Sequence, residues 1–179
     1  MKSFDLKPSE AANANARQTE PGHKPVPKKP IRAPHVIGEA TDYARPSSFS
    51  RGVRVDIKGV TIFFISGTAA VDEHGQTVEP GDFRAQAWRT YRNITALLES
   101  EGASWKDVVR TTCYLRDIER DYTAFNQIRT EFFRQQGLDP LPASTGIQAI
   151  LCRPDLLVEI EAMVIFESPG RNPQDGGES

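Results

Sequence analysis

Pro142-Ala-Ser-Thr-Gly-Ile-Gln-Ala-Ile-Leu-Cys-Arg-Pro-Asp-Leu-Leu-Val-Glu-Ile-Glu-Ala-Met-Val-Ile-Phe-Glu167 is the stretch on which the fold turns. From Leu156 onward it reads as one long strand, whose side chains alternate between the two faces of a sheet. The even positions Leu156, Val158, Ile160, Ala162, Val164 and Phe166 are all apolar, as a face covered by helices requires. The odd positions Leu157, Glu159, Glu161, Met163, Ile165 and Glu167 mix carboxylates with large apolar groups. A wholly solvated face has no use for Leu, Met and Ile. This second face is therefore expected to meet another copy of the chain, with a pocket at the join.

Upstream, Pro140 and Pro142 impose an extended approach to that stretch. Before them a helix is expected from about Arg120 to Gln136, with Tyr122, Phe125, Ile128, Phe132 and Phe133 as its apolar stripe and Gly137 closing it. Val108-Val-Arg-Thr-Thr-Cys-Tyr-Leu-Arg116 is a further β-rich run, reached through Trp105. The helix before it starts at the N-cap Asp82, carries Ala87, Tyr91, Ile94 and Leu98 at helical spacing, and stops at Gly102. Val53–Ile57 and Val60–Ser66 form a hairpin at Lys58-Gly59. The second run, apolar almost throughout, is expected to be a central strand buried on both faces, ended by Ser66-Gly-Thr-Ala-Ala70 and followed by a turn at Asp72-Glu-His-Gly75. The order strand, strand, helix, strand, helix, strand describes an α+β two-layer sandwich with both helices on one face of a mixed sheet. The bare face of such a domain calls for oligomerisation.

Residues 1–34, rich in Pro and Lys around His23-Lys-Pro-Val-Pro-Lys-Lys-Pro-Ile-Arg-Ala-Pro34, read as a disordered basic tail, 35–167 as the domain, and 168–179 as a second disordered tail. The 179 residues carry 22 Lys and Arg against 24 Asp and Glu, so nothing global favours nucleic acid or an anionic membrane. The first residues have no apolar core of a secretory signal, and no apolar run approaches the roughly 20 residues of a membrane span. Cys113 and Cys152, both placed in strands, are read as reduced thiols of a cytoplasmic protein. His23, His35 and His74 are scattered over tail and loops, and neither a metal site nor a cofactor is expected.

In this order and spacing, Phe49-Ser-Arg-Gly52, Phe64-Ile-Ser-Gly67, Gln86 through Asn93, Asp107-Val-Val-Arg-Thr-Thr112, Phe125-Asn126 through Phe132-Phe133 and Val158-Glu-Ile-Glu-Ala162 resemble the Rid family, also called YjgF or UK114. The resemblance runs from about residue 45 to 166. It implies a homotrimer with sites between subunits and hydrolysis of reactive enamines or imines, with ammonia released. It places the family's Asn at Asn126 and its Glu at Glu159. At two positions the chain departs: Phe49 stands where a Tyr is expected, and Ser144 where an Arg clamps the substrate carboxylate, which Ser cannot hold bidentately. Cys152-Arg-Pro-Asp-Leu-Leu-Val-Glu-Ile-Glu161, with Tyr114-Leu-Arg-Asp117 upstream, also resembles the C-terminal half of the chorismatases, which release pyruvate from chorismate. That likeness implies Glu159 or Glu161 as the acting carboxylate and Cys152 as a pocket residue.

Enamines and enol ethers share one chemistry. Each becomes hydrolysable once its methylene carbon is protonated and water adds beside the heteroatom. A positioned carboxyl can give the first proton and take the second. Glu159 is the expected acid and base, its pKa raised by Leu157 and Met163 and by Glu161 roughly 7 Å along the same face. Phe49, Arg116, Asn126, Ser144, Thr145, Gly146 and Cys152 are the expected substrate-binding residues. Thr145-Gly146 could bring backbone N–H groups to a carboxylate. Arg116, and after it Arg153 and Arg51, could stand in for the absent clamp. Two readings of other kinds stay open: a non-catalytic trimer that holds a small ligand, and RNA cleavage or binding through the basic tail.

Overall fold

The computed structural model describes residues 24–44 and 46–168. Along the chain run β1 (Lys28–Ile31), β2 (Gly52–Ile57), β3 (Val60–Ala69), α1 (Phe83–Glu99), β4 (Val108–Leu115), α2 (Ile118–Gln135), β5 (Ala143–Gln148) and β6 (Val158–Glu167). They build one sheet in the order β1-β2-β3-β6-β4-β5. Every pairing is antiparallel except β4 with β5, whose connection runs through α2 as a parallel crossover must. α1 packs on β3 and β6, and α2 on β4. The result is the α+β two-layer arrangement with a mixed sheet.

Local chemistry explains the elements. The β2–β3 hairpin turns on Lys58 (φ 46°) and Gly59 (φ 86°), two left-handed residues in succession as a tight hairpin requires. Asp82 caps α1 by accepting from the Ala85 amide, and Asp117 caps α2 by accepting from Arg120. Gly102 and Gly137, both at positive φ, follow the two helices. β6 lies between β3 and β4, and its even positions from Val158 to Val164 are buried under the helices. Beneath α1 and α2 an aromatic cluster of Tyr91, Trp105, Phe132 and Phe133 fills the core, with Tyr91 stacked on Phe132 at 4.4 Å. Trp105 satisfies its indole N–H on Thr95 Oγ1 at 2.8 Å.

Several expectations change. The basic segment before residue 35 contains β1, which pairs with β2 and buries Ile31 completely. Only one residue of the four points inward, so no apolar period announced it. The rest of that expected tail, 1–23, and the tail from 169 on lie outside the described residues. β5, unannounced as a separate strand, is an edge strand exposed along its whole length. β3 runs on to Ala69 through an irregularity between Ile65 and Thr68, and it is buried on one face only: Phe64 is 47% exposed. Cys113 is buried in β4, but Cys152 is an exposed loop residue. Tyr122 stands outside the α2 stripe, 45% exposed. No described helix is long and apolar enough to cross a membrane.

The face of the sheet away from the helices can be read from the register. Val53, Phe64 and Met163 stand opposite one another across β2, β3 and β6, as do Val55, Ile62 and Ile165, and Ile57 faces Val60. These eight side chains make a continuous apolar surface on the open face.

Candidate functional site

Glu159 stands on β6 between Ala69 of β3 and Tyr114 of β4. The irregularity in β3 brings Gly67 against it: a Cβ built on Gly67 would overlap Glu159 Oε1. Glycine at 67 is thus what lets the carboxyl lie down on the strand. Beyond it opens a cavity of about 700 Å³, lined by Glu159 and Gly67 together with Tyr43, Phe49, Arg51, His74, Cys152 and Arg153 among others. Burial pushes the Glu159 carboxyl above the usual range; Glu161 pushes the same way, and Arg51 opposes them.

Two arginines border this cavity. Arg51 is only 3% exposed. Its Nε and Nη2 both donate to the Gly38 carbonyl, at 2.8 and 2.7 Å. The Tyr43 ring lies 5.2 Å from its guanidinium carbon and the Phe49 ring 5.4 Å. Burial, more than any neighbouring charge, draws its pKa down. Arg153 donates from Nη1 to the Gly75 carbonyl at 2.6 Å, and its guanidinium lies 5.1 Å from the Tyr43 ring.

Glu161 borders a second, smaller cavity of about 300 Å³ on the open face, with Phe64, Ser66, Arg110, Thr112 and Met163. The two carboxylates therefore influence one another through space while facing different cavities. Beside them, burial and the Glu161 carboxylate push the Tyr114 phenol up.

The remaining expected residues sit elsewhere in the chain. Ser144 accepts from Thr111 Oγ1 and from Arg129 Nη1, both at 3.1 Å, and Arg129 Nη2 donates to Asn126 Oδ1 at 2.6 Å. Thr145 accepts from Arg110 Nη2 at 3.2 Å. Neither these three nor Gly146 lines either cavity. Within one chain, then, Phe49, Cys152 and Glu159 come together, Asn126, Ser144, Thr145 and Gly146 form a second group on the β5 edge, and Glu161 lies between. Arg116, the first choice for a carboxylate clamp, is spent on the backbone: Nε donates to Leu156 O at 2.6 Å and Nη2 to Arg153 O. It pins the loop that carries Arg153. Tyr43 was not anticipated. An aromatic in a Pro- and Ser-rich connection before β2 offered no periodicity to single it out. Among the described residues no cluster of three or more His, Cys, Asp or Glu could hold a metal ion.

Residues 43–166 match the sequence profile of the Endoribonuclease L-PSP family. The chain belongs to that family. This is the Rid/YjgF family of the resemblance drawn above. The chain is 35% identical over 106 residues to 3-aminoacrylate deaminase RutC from Acinetobacter baylyi, covering 59% of this chain and 80% of that protein. It is 29% identical over 119 residues to a 2-iminobutanoate/2-iminopropanoate deaminase from Dermatophagoides farinae, covering 66% and 86%. The crystal structure of the YjgF gene product of Escherichia coli superposes with a TM-score of 0.57 at 27% identity, over 73% of this chain and 97% of that one. The family match begins at Tyr43, so β1 and the segment that supplies Gly38 precede it.

Proposed function

We propose that this family member hydrolyses a small unsaturated carboxylate, an enamine or its imine tautomer, and releases ammonia, with Glu159 as acid and base. The observation that carries the reading is a carboxyl of raised pKa beside a cavity of ligand size. The names of the two deaminase relatives point to the same chemistry. In the first step the protonated Glu159 gives its proton to the enamine methylene carbon, leaving a C=N⁺ group. The carboxylate then takes a proton from water as the water oxygen bonds to the imine carbon. Cleavage of the C–N bond releases ammonia and leaves a carbonyl, so that enamine and water become a 2-oxo acid and ammonia.

In this reading three copies pack through the apolar open face, and the β5 edge of one, with Asn126, Ser144, Thr145 and Gly146, closes the cavity of the next. That accounts for two groups of polar residues that a single chain keeps apart. The test is ammonia and 2-oxo acid release from an enamine generated in situ by a dehydratase. Glu159→Gln should lower turnover by about 10²–10⁴-fold while keeping affinity for the 2-oxo acid. Full turnover in that variant sinks the assignment. Chorismate is the informative second substrate: pyruvate release dependent on Glu159 would move the chemistry from enamine to enol ether at the same carboxyl.

A further inference from the structure

We propose that Arg51, Arg153 and Tyr43 form the anion-binding end of the Glu159 cavity and take the carboxylate of its substrate. The inference rests on the reading of that cavity as a substrate site, and it assigns recognition to residues on the side opposite the β5 edge.

Arg51 is a buried cation for which, among the described residues, no carboxylate lies within ion-pair distance. A guanidinium taken out of water without an anion is costly. The rings of Tyr43 and Phe49, over which its guanidinium lies, and the Gly38 carbonyl at one edge offset part of that cost. They leave Nη1 without a hydrogen-bond partner among the described residues. Glu39 is the first carboxylate to act on Arg51 through space, yet it does not line the cavity. Glu159 does line it, but burial holds that carboxyl toward its neutral form.

Arg153 repeats the arrangement. One edge is fixed on Gly75 O, and its Nε and Nη2 have no partner among the described residues. Its positive charge also bears on Arg51, a repulsion that an anion between the two would relieve. Tyr43 lies near both guanidinium groups, and its hydroxyl is buried without a partner. Unspent guanidinium donors of Arg51 and Arg153 thus border one cavity, each side chain already held by ring packing and a backbone carbonyl, with the buried Tyr43 hydroxyl beside them. A planar carboxylate meets such forks two donors at a time, and little ordering remains for it to impose.

The test is equilibrium binding of 2-oxobutanoate and of its neutral amide, 2-oxobutanamide, followed by calorimetry. The acid should bind the unaltered protein at least about tenfold more tightly than the amide. Arg153→Met, at a partly exposed position, should erase that difference by weakening the acid alone, and Tyr43→Phe should weaken the acid severalfold while keeping the ring against both arginines. Glu159→Gln should leave acid binding intact, so a failed hydrolase assay and a failed anion site give different results. Equal affinity for acid and amide, or acid binding indifferent to Arg153, overturns the proposal.

Discussion

Glu159 is held by opposing influences: burial and Glu161 favour its protonated form, and Arg51 its charged one. Its net shift is upward, so the native state keeps a proton that the unfolded chain gives up. The stability this contributes is complete below the ordinary Glu pKa and is lost as pH rises through the raised one. Activity that needs the acid form should fall over the same rise. Glu161→Gln removes the like charge, lowers the Glu159 pKa, and should displace the falling limb of the kcat/KM profile to lower pH; a limb that stays in place would uncouple the two carboxylates. Gly67→Ala tests the seat itself. The new methyl meets the end of a flexible side chain rather than backbone, so the stability change should stay below about 1 kcal/mol. Turnover should nevertheless drop about 10²-fold through misplacement of the carboxyl. Equal losses of stability and activity would instead indicate general damage.

Among the elements, β1 and the segment after it lie before the span that the family profile matches. Ile31 and Ile37 are both fully buried in the core that holds Phe63, and the carbonyls of Val36 and Gly38 accept from Arg89 and Arg51. The segment is therefore a strap that fixes one wall of the cavity. Ile31→Ala should cost about 2–5 kcal/mol in chemical denaturation; a loss near zero would return this stretch to the status of a tail. The sequence hid the strap because three of the four strand residues point outward and one is proline, which an edge strand tolerates. The helices were legible to within two residues, because each has its own cap, stripe and stop. Their three- and four-residue periods carry the face they bury.

For the whole molecule, the open face is the feature a single chain leaves unresolved. Phe64, Ile165, Val60 and Ile57 are exposed side by side, an apolar continuity that monomers seldom carry. Sedimentation should find a trimer, and Phe64→Glu should release monomers that lose at least about 10²-fold in activity without loss of helix content. A monomer of full activity would confine the site to one chain. The alternation from Val158 to Phe166, the caps of both helices and the hairpin at Lys58-Gly59 determined the layers and placed Glu159 on the open face, because these are local regularities that each segment states for itself; Leu156 and Leu157, read into the same strand, precede it and are both buried. Only the tertiary structure decided that Arg116 is spent on backbone carbonyls, that Arg51 and Arg153 meet around Tyr43, and that Asn126 and Ser144 stand apart from Glu159. Those facts depend on which strands become neighbours and which carbonyls need a donor, and such distances are set by packing between segments far apart in the chain.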